Sequence, residues 1–146
     1  MPDEWKEVVA EWIGESAFTG RNSTGGCVQI GTFQGQPGIG PMEMLLLGIA
    51  GCTGMDIVSI LEKKRQKIGK FEIRVRGKRA ETYPKVYTEI EVSYHLWGNQ
   101  IDSSAVEQAI QLSEEKYCSA SAMLSAVAKI SSQYYLHTIE ETSRAM

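Results

Sequence analysis

An excess of basic charge is the first thing this sequence lacks. Fifteen lysines and arginines face 18 acidic residues, giving a net charge of −3 with both histidines neutral. That balance argues against non-specific nucleic-acid binding, which needs a basic face. The one basic cluster, Lys63, Lys64, Arg65 and Lys67, suits the solvated end of a helix, where cations complement the dipole. Metal-ligand spacing is missing too: the three cysteines form no CxxC, and His95 and His137 lie far apart, so no structural metal is expected. Three cysteines in a reducing compartment are also too few for a structural disulfide framework. Long apolar runs are absent: the longest, Met44 to Ala50, falls well short of the roughly 20 residues a membrane span needs. The N-terminal "MPDEWKEVVAEW" carries acidic residues and no leader-type apolar segment, so the expectation is a cytoplasmic protein with no membrane partner. With no repeat, low-complexity tract or linker, residues 1–146 read as a single domain.

What is present is regular patterning. "WKEVVAEWIG" and "GCVQIGTF" are β-branched and aromatic, separated by turn residues, and predict an N-terminal β region. "GQPGIGP" is a loop, with Pro41 placed to open a helix that the pattern carries from about Met42 to about Lys67, stopping at Gly69. That helix is apolar almost all round for its first four turns, and so few strands could hardly cover it; a second chain is expected to help. "KFEIRVRGKR" and "TEIEVSYHLW" then alternate strictly and predict two antiparallel strands, with Ile90, Val92, Tyr94 and Leu96 facing inward. Ser104 and Glu107 have capping-box spacing at the start of a helix to about Lys116. A second helix is predicted over Ser119 to Ile130, and "SQYYLHTIE" as a closing strand. Strands, buried helix, strands, two helices and a strand make an α+β arrangement.

Two cysteines sit in settings that need explaining. Cys52 lies within "GIAGCTGM", where glycines at 48, 51 and 54 cost a helix roughly 2–3 kcal/mol together but let another backbone come close. Cys52 fits either a small residue at a tight crossing or a reactive thiol. Cys118 falls between "SEEKY" and "SASAML", at a helix junction where free N–H groups favour a thiolate; a small residue filling that junction fits equally. Cys27, on a strand beside two glycines, reads as structural.

"GPMEMLLLGIAGCTGMDIVSILEKKR" followed by "SEEKYCSASAML" resembles the OsmC/Ohr family, the osmotically inducible and organic hydroperoxide resistance proteins. The likeness extends through the strand pair and the closing strand, and its details are nearer the OsmC-like branches than the Ohr branch. It implies an OsmC-like fold: an intertwined homodimer whose long central helices are buried between β-sheets. It implies reduction of organic hydroperoxides, in defence against oxidative or osmotic stress, by a thiol pair without metal or flavin. On that resemblance Cys52 is the peroxidatic cysteine, Cys118 the resolving one, and a lipoyl- or thioredoxin-type dithiol the reductant.

The resemblance also implies an arginine from the N-terminal β region, held by a glutamate at the start of the cysteine helix. Arg21 is the only arginine before that helix, though an ordinary turn arginine would read the same. Pro41 keeps the family's spacing to Cys52, but Met42 stands where many members have glutamate, and Glu43 comes one position later. At about 100° per residue, Glu43 points away from Cys52 on the same helix. Asp56, one turn beyond Cys52 on its face, places a negative charge where a thiolate has to form. Met42, Met44, Met55, Tyr117, Tyr134 and Tyr135 are candidates to line an apolar pocket. These departures keep a second expectation open: a binding protein for a small ligand on the same scaffold, with little turnover.

Overall fold

The computed structural model describes residues 4–139. The chain divides into two compact units, Met1–Leu45 and Leu46–Met146. In the first, strands β1 (Val8–Gly14), β2 (Ala17–Asn22) and β3 (Cys27–Ile30) form an antiparallel sheet in that order. The strand the pattern hid is β2, "AFTGRN", because Gly20 and a polar end mask its alternation. Asn22 closes the next turn: its side-chain oxygen accepts N–H bonds from Thr24 and Gly26. After β3 the loop is held by the Gln29 amide, which donates to the carbonyls of Gly31 and Gln36. Gly31 is obligatory there. It sits at φ +77°, and a Cβ would lie 2.6 Å from the Ser16 carbonyl oxygen.

Helix α1 (Pro41–Lys63) starts on its proline as expected and runs on into the second unit. It stops short of the expected Lys67. Arg65 takes the left-handed conformation at φ +58°. Its N–H donates to the Glu62 carbonyl and that of Gln66 to Leu61, a Schellman closure with arginine in glycine's usual place. Ile49, Thr53, Ile57 and Leu61, one turn apart, are buried, whereas Leu47 and Met55 on other faces are exposed. By length and composition alone α1 could cross a membrane; a core helix passes the same test, and its buried stripe shows one face packed on protein.

In the second unit β4 (Lys70–Arg79), β5 (Tyr87–Trp97) and β6 (Lys129–His137) form a sheet in that order. The β4–β5 pair is antiparallel, and Ile90, Val92, Tyr94 and Leu96 are buried as the alternation predicts. α1 packs closely on the same face: a Cβ at Gly54 would meet the tip of Ile73 at 2.9 Å. β6 runs parallel to β5, Tyr94 opposite Tyr134, which requires a crossover. That crossover contains α2 (Ser103–Leu112), one π-helical turn (Ser113–Tyr117) and α3 (Ser119–Leu124).

Three boundaries differ from the sequence reading. Asp102, not Ser104, caps α2, its carboxylate accepting the Ser104 N–H at 3.0 Å. α3 ends at Leu124, not near Ile130, because residues from Lys129 onward pair with β5. For the same reason β6 begins before Ser132 and ends at His137. The far end of the predicted closing strand, Glu140, and the first three residues of the N-terminal segment lie outside the described residues. The result is a mixed α+β fold with two small sheets and helices.

Candidate active site

Cys52 rides on α1, half-buried, beside the buried stripe. Cys118 is both the C-cap of the π-turn and the N-cap of α3, with extended backbone at φ −76°, ψ 100°. Its Sγ accepts the Ser121 N–H at 3.3 Å, and its own N–H donates to the Ser113 carbonyl at 2.7 Å. The helix-start position is therefore as the sequence suggests, but its electrostatic consequence is not. Cys118 is only 3% exposed, and burial pushes its thiol up above the ordinary cysteine value. The Ser121 donors pull down, and the nearby Cys52 pushes up again. Desolvation outweighs the helix terminus, which belongs to a helix of only six residues. Cys118 is held as a thiol.

The fold thus brings Cys52 and Cys118 together, and both are free. Two free thiols near each other can cycle between a dithiol and a disulfide. Cys27 is free and exposed on β3. Among the described residues no group of three histidine, cysteine or carboxylate side chains is placed to hold a metal.

Arg21 and Glu43 are not paired with each other. Arg21 Nη1 lies 3.1 Å from the Glu11 carboxylate across β1 and β2, both side chains largely exposed. Glu43 turns back on its own helix start and accepts the Gly40 N–H at 2.7 Å, satisfying one of the N-terminal donors. Asp56 does lie one turn beyond Cys52, and its Oδ2 accepts the Ser113 hydroxyl at 3.0 Å.

Of the candidate pocket residues, Met55 borders a groove of about 530 Å³ with Ala50, Gly51, Gly54, Val58 and Phe71. Tyr117 borders another of similar size with Asp56, Ser59, Ile60 and Leu112. Tyr134 donates to Glu107 instead, and Tyr135 belongs to the opposite face of the sheet, beside His95. Met42 and Met44 are half-buried in the first unit.

The sequence reading overlooked the polar cluster around the thiols. Tyr94, fully buried, donates to Glu114 Oε2 at 2.6 Å, and the Ser132 hydroxyl donates to Glu114 Oε1 at 3.1 Å. Burial first, and then Glu114, drives the Tyr94 phenol far above its usual value, so it stays a donor at every physiological pH. The available signal was one-sided: Tyr94 sits on the inward face of a strand, where its hydroxyl needs a partner.

A family model described as "OsmC-like protein" matches residues 33–133. Protein YhfA of Escherichia coli (strain K12) is 33% identical over 124 residues, covering 85% of this chain and 92% of YhfA. A crystal structure of a protein from Aquifex aeolicus VF5 superposes with a TM-score of 0.83 at 38% identity, covering 92% of this chain and 98% of that one. The organic hydroperoxide resistance protein OhrB of Bacillus subtilis shares the fold, with a TM-score of 0.63 at 15% identity over 90% of this chain and 98% of its own. The family pattern spans both the loop before α1 and the crossover that carries Cys118, and on that match the chain belongs to the OsmC-like protein family.

Proposed function

We propose that this protein is a thiol-dependent peroxidase that reduces organic hydroperoxides, working as a homodimer. The observation that carries this reading is the proximity of Cys52 on α1 to Cys118 in the β5–β6 crossover. The Cys52 thiolate attacks one peroxide oxygen; the O–O bond breaks, the alkoxide leaves and takes a proton to become the alcohol, and Cys52 becomes a sulfenic acid. The Cys118 thiol then condenses with it, forming the disulfide and releasing water. A dithiol of the lipoyl or thioredoxin type restores both thiols by exchange and leaves as its own disulfide. A buried, protonated Cys118 suits the resolving role, since its proton departs with the sulfenic oxygen as water. Arg21 is the candidate for the cation a thiolate needs, and Glu43 for the carboxylate that holds it; both roles rest on the family resemblance and on no pairing within the chain.

A second reading is a binding protein for a small apolar ligand, with little turnover. The groove bordered by Met55, Val58 and Phe71 favours it, as does the Asp56 carboxylate one turn from Cys52.

Stopped-flow mixing of the reduced protein with cumene hydroperoxide, with mass analysis of the product, separates the two. Peroxide consumption well above the rate of a free thiol, ending in a Cys52–Cys118 disulfide that Cys52→Ser abolishes, is expected. Consumption no faster than a free thiol's would favour the binding protein.

A further inference from the structure

The turn before Cys118 is π-helical, a conformation rare in proteins and concentrated at functional sites. Its defining bond is the long one from the Cys118 N–H to the Ser113 carbonyl. A π-turn admits one residue more than an α-turn, which rotates everything after it by about 100° around the helix axis. With an ordinary α-turn here, the side chain at position 118 would point away from its present direction. A π-turn in place of an ordinary α-turn needs surroundings that favour it.

Those surroundings are present at both ends. Ser113, fully buried, is fastened to α1 through Asp56, one turn from Cys52. The next residue, Glu114, has each carboxylate oxygen occupied, one by Tyr94 of β5 and the other by Ser132 of β6. Tyr94 also lies near enough to Cys118 and to Thr53, the neighbour of Cys52, to interact with both. Two consecutive residues thus tie the Cys118 turn to the helix bearing Cys52 and to the sheet beneath it.

We infer that Asp56, Ser113, Tyr94 and Glu114 are positioning residues that hold the π-turn in the register presenting Cys118 to Cys52, and so raise the tendency of the two thiols to close into a disulfide. This rests on the reading that the two cysteines act as a pair, but not on the nature of the oxidant. Asp56 acquires a purpose on this account: a carboxylate ill suited to sit beside a thiolate is kept because it anchors the partner thiol. Held groups close more readily than free ones, since their freedom is already lost.

The test uses the full chain in a buffer of reduced and oxidised dithiothreitol. The pair closes by exchange as oxidised dithiothreitol becomes the dithiol, and acid quenching, alkylation and mass analysis measure the disulfide. Ser113→Ala and Tyr94→Phe are expected to lower the closure constant about tenfold relative to the native chain, equivalent to roughly 30 mV. Glu114→Gln, which keeps an acceptor oxygen, should recover most of the loss seen in Glu114→Ala, a rescue that mere loss of packing would not give. Circular dichroism identifies the variants that remain folded. If the buried ones do not, Ser132→Ala, at an exposed serine, should give a smaller shift of the same sign. An unchanged closure constant in every folded variant overturns the inference. A native chain that closes in this buffer yet ignores cumene hydroperoxide removes the peroxidase reading and leaves the positioning inference standing. A native chain that does not close at all removes both.

Discussion

His95 and His137 face each other across β5 and β6, with Nδ1 of the first 3.2 Å from Nε2 of the second. His95 also stacks on Tyr135 and His137 on Trp97, with ring centroids 4.8 Å and 4.7 Å apart. One imidazole must donate and the other accept, so the contact is lost when both are protonated. Burial first, then Arg74 and His137, hold the His95 value below that of a free histidine, with Glu72 opposing. The unfolded chain therefore binds this proton more readily, and stability rises with pH across the interval from the folded value to the unfolded one near 6.5. Thermal midpoints should be higher at pH 7.5 than at pH 5.5, a gap that His95→Gln narrows; an equal gap in that variant would dismiss the contact as the cause.

Alkylation should rank the cysteines. Cys118, buried and held as a thiol, reacts with iodoacetamide only after exposed Cys27 in the native protein at neutral pH. Its rate should climb as pH rises beyond the ordinary thiol range. Peptide mass mapping over a time course gives the order, and Cys118 modified first would contradict the burial described.

Ile57 is fully buried on the stripe of α1 that packs in the second unit. Ile57→Ala should cost about 2–5 kcal/mol, through lost transfer energy and the cavity left behind. Urea titration measures it, and a loss under about 1 kcal/mol would mean that the stripe is not a core.

Asp102→Ala should cost about 1 kcal/mol by freeing the Ser104 N–H at the start of α2. Ser104→Ala should be near neutral, because its side chain is not the cap. The two variants compared by denaturant midpoint decide between Asp102 and the capping box.

The proposed homodimer makes Gly51 a sensitive position. Within one chain a Cβ there meets nothing within 4 Å, and Leu47 and Met55, each one turn away, are exposed. Gly51→Glu should convert a dimer to a monomer in sedimentation equilibrium. Were the native chain already monomeric at micromolar concentration, the dimer proposal would fail. An exposed glycine would then gain from alanine substitution about 1 kcal/mol of helix propensity.

Strict alternation made β4 and β5 legible, since Ile90, Val92, Tyr94 and Leu96 each face inward at every second position. The start of α1 was legible from Pro41. Its end was not, because Arg65 adopts a conformation that sequence rules reserve for glycine. The end of α3 was equally hidden: nothing in "SAVAK" breaks a helix, and the decision lies with long-range pairing to β5. At the site, the junction holding Cys118 could be read from "SEEKYCSASAML", but its burial and the π-turn could not. Both depend on Asp56 and Tyr94, which approach from remote parts of the chain. The partners of Arg21 and Glu43 likewise follow from strand register and helix capping, which the family resemblance does not specify.

The parallel pairing of β5 with β6 also sets a timetable. Cys52 lies in a helix that can pack as soon as the β4–β5 hairpin has formed from neighbouring sequence. Cys118 reaches its place only when the crossover has closed and Ile130 has paired with Ile90, a long-range step that carries the larger entropic cost. On a ribosome, where the N-terminal part emerges first, the thiol proposed to meet the peroxide precedes the one proposed to resolve it. Under the proposed mechanism, a newborn chain is open to irreversible over-oxidation at Cys52 during an interval that the finished molecule never revisits.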